Sequence, residues 1–157
     1  MKKVRPDIKR FTSSGYIDDM AAGNLCVSVG YGGDLNIAKT RAQEAKNGVE
    51  IEVLAPKSGV GIWVDSLMIP RDAQNTANAH KYINHTLDPE VAAQNGNFVT
   101  YAPASRPARA LMDAKYTGDA SIFPTKELMD KSFIVSPKST DASRLSVRLW
   151  QSLKAGK

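Results

Sequence analysis

The chain has 157 residues, of which 42% are hydrophobic and 24% charged, with a formal net charge of +5. This balance excludes an intrinsically disordered polymer and leaves enough mass for one core. The apolar run around Ile62 to Ile69 falls well short of the ~20 residues of a membrane span and is broken by Asp65, so a soluble chain without membrane insertion is expected.

The opening stretch, MKKVRPDIKRF, sets Pro6, Asp7 and Lys9 where a secretory leader needs an apolar run, so the sequence as written reads without an export address. Lys2, Lys3, Arg5, Lys9 and Arg10 cluster here, but later cations are scattered among acids and no RNA- or DNA-binding signature follows. A solvated basic surface is expected, not a nucleic-acid partner. Tyr16 to Ala22 has helical spacing and ends at Gly23, a residue suited to the left-handed cap. Leu25 to Val29 (LCVSV) reads as a strand, with the lone Cys26 as a small core side chain; one cysteine allows no internal disulfide. A glycine turn then leads into a helix over Leu35 to Lys46, with Asp34 at its N-cap and Asn47-Gly48 as its stop.

Val49 to Ala55 alternates apolar residues with Glu50 and Glu52, the period of a half-buried strand. The run VGIWVDSLMI is apolar almost throughout, so both faces of that strand should be covered. A helix over Ala73 to Thr86 follows. Asp88-Pro89-Glu90 is a strong start for the next one, which Gly96 would end before a short return strand at Asn97 to Tyr101. Helices over Ala108 to Ala114, from Thr125, and from Asp141 to Lys154 complete the order. In the last, Leu145, Leu149 and Leu153 recur at four-residue spacing with Trp150 alongside. Strand, turn and helix units of this kind predict an α/β fold.

Two acids stand out. An unpaired carboxylate in apolar surroundings costs several kcal/mol or is neutralised, so Asp65 requires a partner, either within the fold or from solution. Asp34 puts a negative charge where a phosphate-binding glycine loop would need a positive end. Tyr31 and Trp63 accompany them, Trp63 on the same strand face as Asp65. An aromatic and a carboxylate on each of two strands suit an alkylammonium ligand: rings cover the methylene chain and carboxylates pair with nitrogen. The same two acids would also serve a hydrolase as general acid and base, and the residues alone leave that open. His80 and His85, five apart, do not share a helix face as a metal pair would, and no metal site is expected.

The segments GYGGDLNIAKTRAQEAKNGVEIEVLAPKSG, IWVDSLMIP, YINHTLDPEVAA and RLWQSLKAGK closely resemble the C-terminal half of putrescine/spermidine-binding periplasmic proteins, the receptors of polyamine ABC importers. The resemblance implies a periplasmic-binding-protein-like α/β fold, here an incomplete two-lobe architecture with crossing strands. Residues 1–54 and 103–157 would belong to the second lobe and 57–100 to the first. It implies a non-enzymatic function without cofactor, in which a polyamine is held by Tyr31, Asp34, Trp63, Asp65 and Tyr101 and delivered to permease subunits. Tyr31 stands where many members have Trp, and Trp63 where some have Phe. Family members are longer, so the absent N-terminal half or a second copy of this chain is an expected partner, and a truncated, non-binding remnant is the alternative. The family is periplasmic; a chain without a leader would remain in the cytoplasm.

Overall fold

The computed structural model describes residues 1–62 and 64–156. Along these residues run a 3-10 helix (Lys2–Asp7), α1 (Tyr16–Ala21), α2 (Gly32–Ala45), β1 (Gly61–Ile62), α3 (Thr76–Leu87), α4 (Pro89–Val99), α5 (Arg106–Arg109), α6 (Ala114–Thr117), α7 (Lys126–Lys131), β2 (Phe133–Ile134) and α8 (Thr140–Lys154). β1 and β2 pair in parallel, Gly61 opposite Phe133 and Ile62 opposite Ile134, giving an α/β class with a short sheet. Parallel strands need a long crossover, which α3 to α7 supply.

Local chemistry starts several of these helices. Asp88 accepts from the Glu90 and Val91 amides at 3.0 and 3.2 Å, with Pro89 at the first helical position of α4. Thr125 and Ser139 cap α7 and α8 in the same way, accepting from Leu128 and Ala142. α1 ends as the sequence predicts, with Gly23 left-handed at φ 76° just beyond it.

α2 departs from the expectation. Its N-cap is Tyr31, and Asp34 lies inside the first turn. Gly32 and Gly33 present no side chain to compete with the backbone, so the helix begins earlier; the carboxylate still faces the positive end of the helix dipole. Gly96 does not end α4 either. It is buried inside the helix, where a Cβ would come 3.0 Å from Met112 Cε, so packing overrides a poor helix former. The strand expected at Asn97 to Tyr101 is therefore helical through Val99, and Thr100, left-handed at φ 56°, turns the chain. The helix expected over Ala108 to Ala114 is split into α5 and α6 by turns.

Two small apolar clusters hold the helices. Tyr16, Met20 and Ala21 of α1 and Ala38 and Ala42 of α2 are buried where these helices pack. Ala92, Ala93, Ala108 and Met112 form the other cluster, with Tyr116 and Phe123 against it and the Arg109 guanidinium 4.3 Å from the Phe123 ring centre. Alanine lets backbones approach closely but removes little apolar area from water. At the far end, Arg5 Nε donates to the Leu153 carbonyl at 3.0 Å, and Phe11 meets Trp150 edge-on at 4.9 Å. Leu153 is buried on α8, whereas Leu145, Leu149 and Trp150 are largely exposed.

The predicted strands mostly do not form. Leu25–Val29 and Val49–Ala55 are irregular, and of the third only Gly61 and Ile62 are strand among the described residues. Cys26 is exposed, as are Val64, Leu67 and Met68, so that segment is not covered on both faces. An apolar run becomes a strand only when a neighbour takes its backbone donors and acceptors, and no backbone among the described residues pairs with the first two.

Candidate functional site

The start of α1 and the start of α2 meet at a tyrosine and a carboxylate. Tyr16 is 5% exposed, and its hydroxyl donates to Asp34 Oδ2 at 2.5 Å while accepting from the Tyr31 N–H at 3.3 Å. Burial first, then the hydrogen bond to Asp34, pushes the Tyr16 hydroxyl up to about 12. Two glycines make this approach possible. A Cβ at Gly30 would lie 2.6 Å from Tyr16 Cε2, and one at Gly33 would overlap the Tyr101 ring. Burial and the charge of Asp34 raise the Tyr101 hydroxyl as well, with the Asp34 and Gly33 amides acting in the opposite sense.

Tyr101 reaches this place because of Thr100. The buried Thr100 hydroxyl donates to the Gly33 carbonyl at 2.9 Å, tying the end of α4 to the start of α2. A β-branched residue in the left-handed region is strained, and it persists because its surroundings hold it. On the other side, Asn36, 5% exposed, donates to the Gly32 carbonyl at 3.1 Å and to Ser121 Oγ at 2.9 Å. Ser121 in turn donates to Asp119 through its hydroxyl at 2.7 Å and its amide at 2.8 Å. The hydroxyl is the largest influence holding Asp119 below its ordinary value, with Lys39 adding to it and burial opposing.

Asp34 and Tyr101 are thus brought together, and Tyr31, 45% exposed, adjoins them as the N-cap. Asp65 is not among them: it is exposed on the irregular segment after β1. Trp63 lies outside the described residues. Tyr16, Thr100, Asn36 and Ser121 were not anticipated. The signal available for Tyr16 was Gly30 in GYGG, which, like Gly33 three positions on, marks a place where something bulky comes close. A groove of about 1200 Å³ lies between the N-terminal segment, residues 24–29 and α8; it shares Tyr16 with this cluster but contains none of the five predicted residues.

The sequence profile of bacterial extracellular solute-binding proteins matches residues 1–125. The chain belongs to that family. It is 37% identical over 155 residues to the putrescine-binding periplasmic protein SpuD of Pseudomonas aeruginosa and, over the same length, 37% identical to the putrescine-binding periplasmic protein PotF of Escherichia coli. Each alignment covers 99% of this chain and 42% of the relative. A putrescine/agmatine-binding protein of Pseudomonas aeruginosa is 30% identical over 154 residues, 98% of this chain and 42% of the relative. The chain therefore spans about two fifths of the length of these relatives. Its α/β class and its similarity to them agree on a periplasmic-binding-protein-like fold, present here in part. No helix among the described residues is long and apolar enough to cross a membrane.

Proposed function

We propose that this chain is the polyamine-binding part of a solute receptor serving an ABC importer, and that it binds without catalysing a reaction. The observation that carries the reading is the carboxylate of Asp34 between two tyrosines, Tyr16 and Tyr101, in a chain similar to receptors whose names specify putrescine. A carboxylate edged by aromatic rings suits an alkylammonium group, since the charge pairs with oxygen and the rings accept the methylenes and the cation's flank. Tyr31 and Tyr101 would line the methylene chain near Asp34, with Trp63 and Asp65 taking the far end. Residues 57–100 would belong to one lobe, and 1–54 with 103–157 to the other. Further polypeptide of the receptor, or a second copy of this chain, would supply the facing wall, and permease subunits would take the ligand from it.

The exposure of Asp65, Tyr31 and Tyr101 sets the expected strength. An ion pair open to water is worth only ~0–1 kcal/mol. The 157-residue chain alone should then bind putrescine with a dissociation constant near or above ~1 mM, about −4 kcal/mol. A titration followed by NMR checks this. Asp34→Asn should abolish the shifts that putrescine induces around residues 30–36, and Asp65→Asn should leave most of them. Saturable binding that survives Asp34→Asn in a folded chain rules out this site.

A further inference from the structure

The dipeptide Asn-Gly occurs twice in the chain, at positions 47–48 and 95–96, and the fold places the two in opposite settings. Gly96 is buried inside α4, so its amide belongs to the helical ladder and the backbone around it is fixed. Asn47 and Gly48 lie exposed just past the end of α2, where Lys46 is left-handed at φ 48°. Gly48 is left-handed too, at φ 79°, and a Cβ there would meet nothing within 4 Å. Its N–H makes no hydrogen bond among the described residues.

The Asn47 side chain is folded back over this open backbone. Its Oδ1 accepts from the Val49 N–H at 3.1 Å, closing a turn that contains the Gly48 amide, while Nδ2 donates to the Ala21 carbonyl at 2.9 Å. The bond from Val49 draws electrons from Cγ and stabilises negative charge as it develops on Oδ1. We propose that Asn47 is a site of spontaneous modification, at which the Gly48 nitrogen displaces the side-chain amide as ammonia. The nitrogen bonds to Cγ, the Cγ–Nδ2 bond breaks, and the ammonia carries off the proton that the Gly48 nitrogen gives up. Water then opens the cyclic imide at either carbonyl, leaving aspartate or the isomer whose main chain runs through Cβ. No oxidant or reductant takes part.

The exchange sets a carboxylate oxygen where a donor had met the Ala21 carbonyl, and it adds negative charge at the end of α2, where the helix dipole is already negative. Both effects weaken the tie between the ends of α1 and α2, the helices whose first turns hold Tyr16 and Asp34. Modification at Asn47 therefore acts on the candidate site from the opposite ends of the same two helices.

The unsubstituted chain carries its own control. After incubation of the folded protein at mildly alkaline pH, peptide mapping by mass spectrometry should find conversion at Asn47 about tenfold or more faster than at Asn95, which reacts only when α4 opens. In urea, where neither pair is structured, the two rates should converge. Asn47→Gln, whose longer side chain closes the ring poorly, should abolish conversion at position 47 and leave the slow reaction at Asn95 as it was. Asn47→Asp reproduces the charge of the product and should lower the urea midpoint. Conversion at Asn47 no faster than at Asn95 in the folded chain overturns the proposal, and an unchanged midpoint in Asn47→Asp overturns its consequence for α1 and α2.

Discussion

Gly30 leaves room for the ring of Tyr16, since a Cβ at position 30 would stand 2.6 Å from Tyr16 Cε2. Contacts that short do not survive, so Gly30→Ala must displace the tyrosine and stretch its bond to Asp34. Overpacking of this kind costs about 1–3 kcal/mol. In a Tyr16→Ala background the same glycine substitution should cost much less, because the atom it strikes has gone. Urea midpoints for the four variants of this cycle measure the difference. Additive losses would mean that the ring and the glycine do not touch.

The Tyr16 hydroxyl also makes stability depend on alkaline pH. Its value is raised from 10.0 to about 12 in the folded chain, so the folded state holds the proton more tightly than the unfolded one. The contribution is complete below pH 10 and is lost as pH rises through about 12, which makes the direction destabilising. Its size is at most about 2–3 kcal/mol. The stability difference between the unsubstituted chain and Tyr16→Phe, followed by denaturant titration, should shrink across this window. A difference constant from pH 8 to 12 contradicts the buried hydroxyl–carboxylate pair.

What the sequence revealed and what it hid follow from the range of the interactions. Asp88, Pro89 and Thr125 act on backbone within one turn of themselves, and their helices begin where those residues predict. LCVSV and VEIEVLA have the composition of strands, yet a strand depends on a distant ladder partner that no local pattern reveals. Gly96 reads locally as a stop, and it lies mid-helix because Met112, 16 positions on, fills the space beside it. For the site, Asp34 stood out as a carboxylate in a glycine loop at a helix start, whereas Tyr101 followed only from a family resemblance. Tyr16 lies 18 residues from Asp34 and Ser121 lies 85 from Asn36, separations to which periodicity is blind.

The chain from Asn36 through Ser121 to Asp119 anchors the first turn of α2 and gives an acid-side prediction. Asp119 is held below its ordinary 3.8, so its contribution is present above that pH and is lost as pH falls through the lower folded value. Ser121→Ala removes the donor chiefly responsible and should destabilise the chain by about 1–2 kcal/mol near neutral pH. The gap between variant and unsubstituted chain should close below about pH 4 as Asp119 takes up its proton. Asn36→Ala should cost more, about 1–3 kcal/mol, because it removes at once the donor to the Ser121 hydroxyl and the donor to the Gly32 carbonyl. Equal acid sensitivity in all three chains would remove Asp119 from this role.

The irregular apolar segments predict how the chain behaves with its own kind. Val27 and Val29 are 84% and 98% exposed, and the backbone of Leu25–Val29 pairs with no other backbone among the described residues. Apolar extended chain with open donors and acceptors is a template for pairing. The net charge of +5 opposes self-association through long-range repulsion, which salt screens within ~10 Å at 0.1 M. Sedimentation velocity should therefore show association that grows with protein concentration and with salt, the reverse of what attraction between charges would give. Val29→Lys, placing a cation on this open segment, should shift the chain toward monomer without moving its urea midpoint, since Val29 contributes almost no buried area. A chain that stays monomeric in high salt, or a Val29→Lys variant that associates as strongly as the unsubstituted chain, would show that these segments are not the adhesive surface.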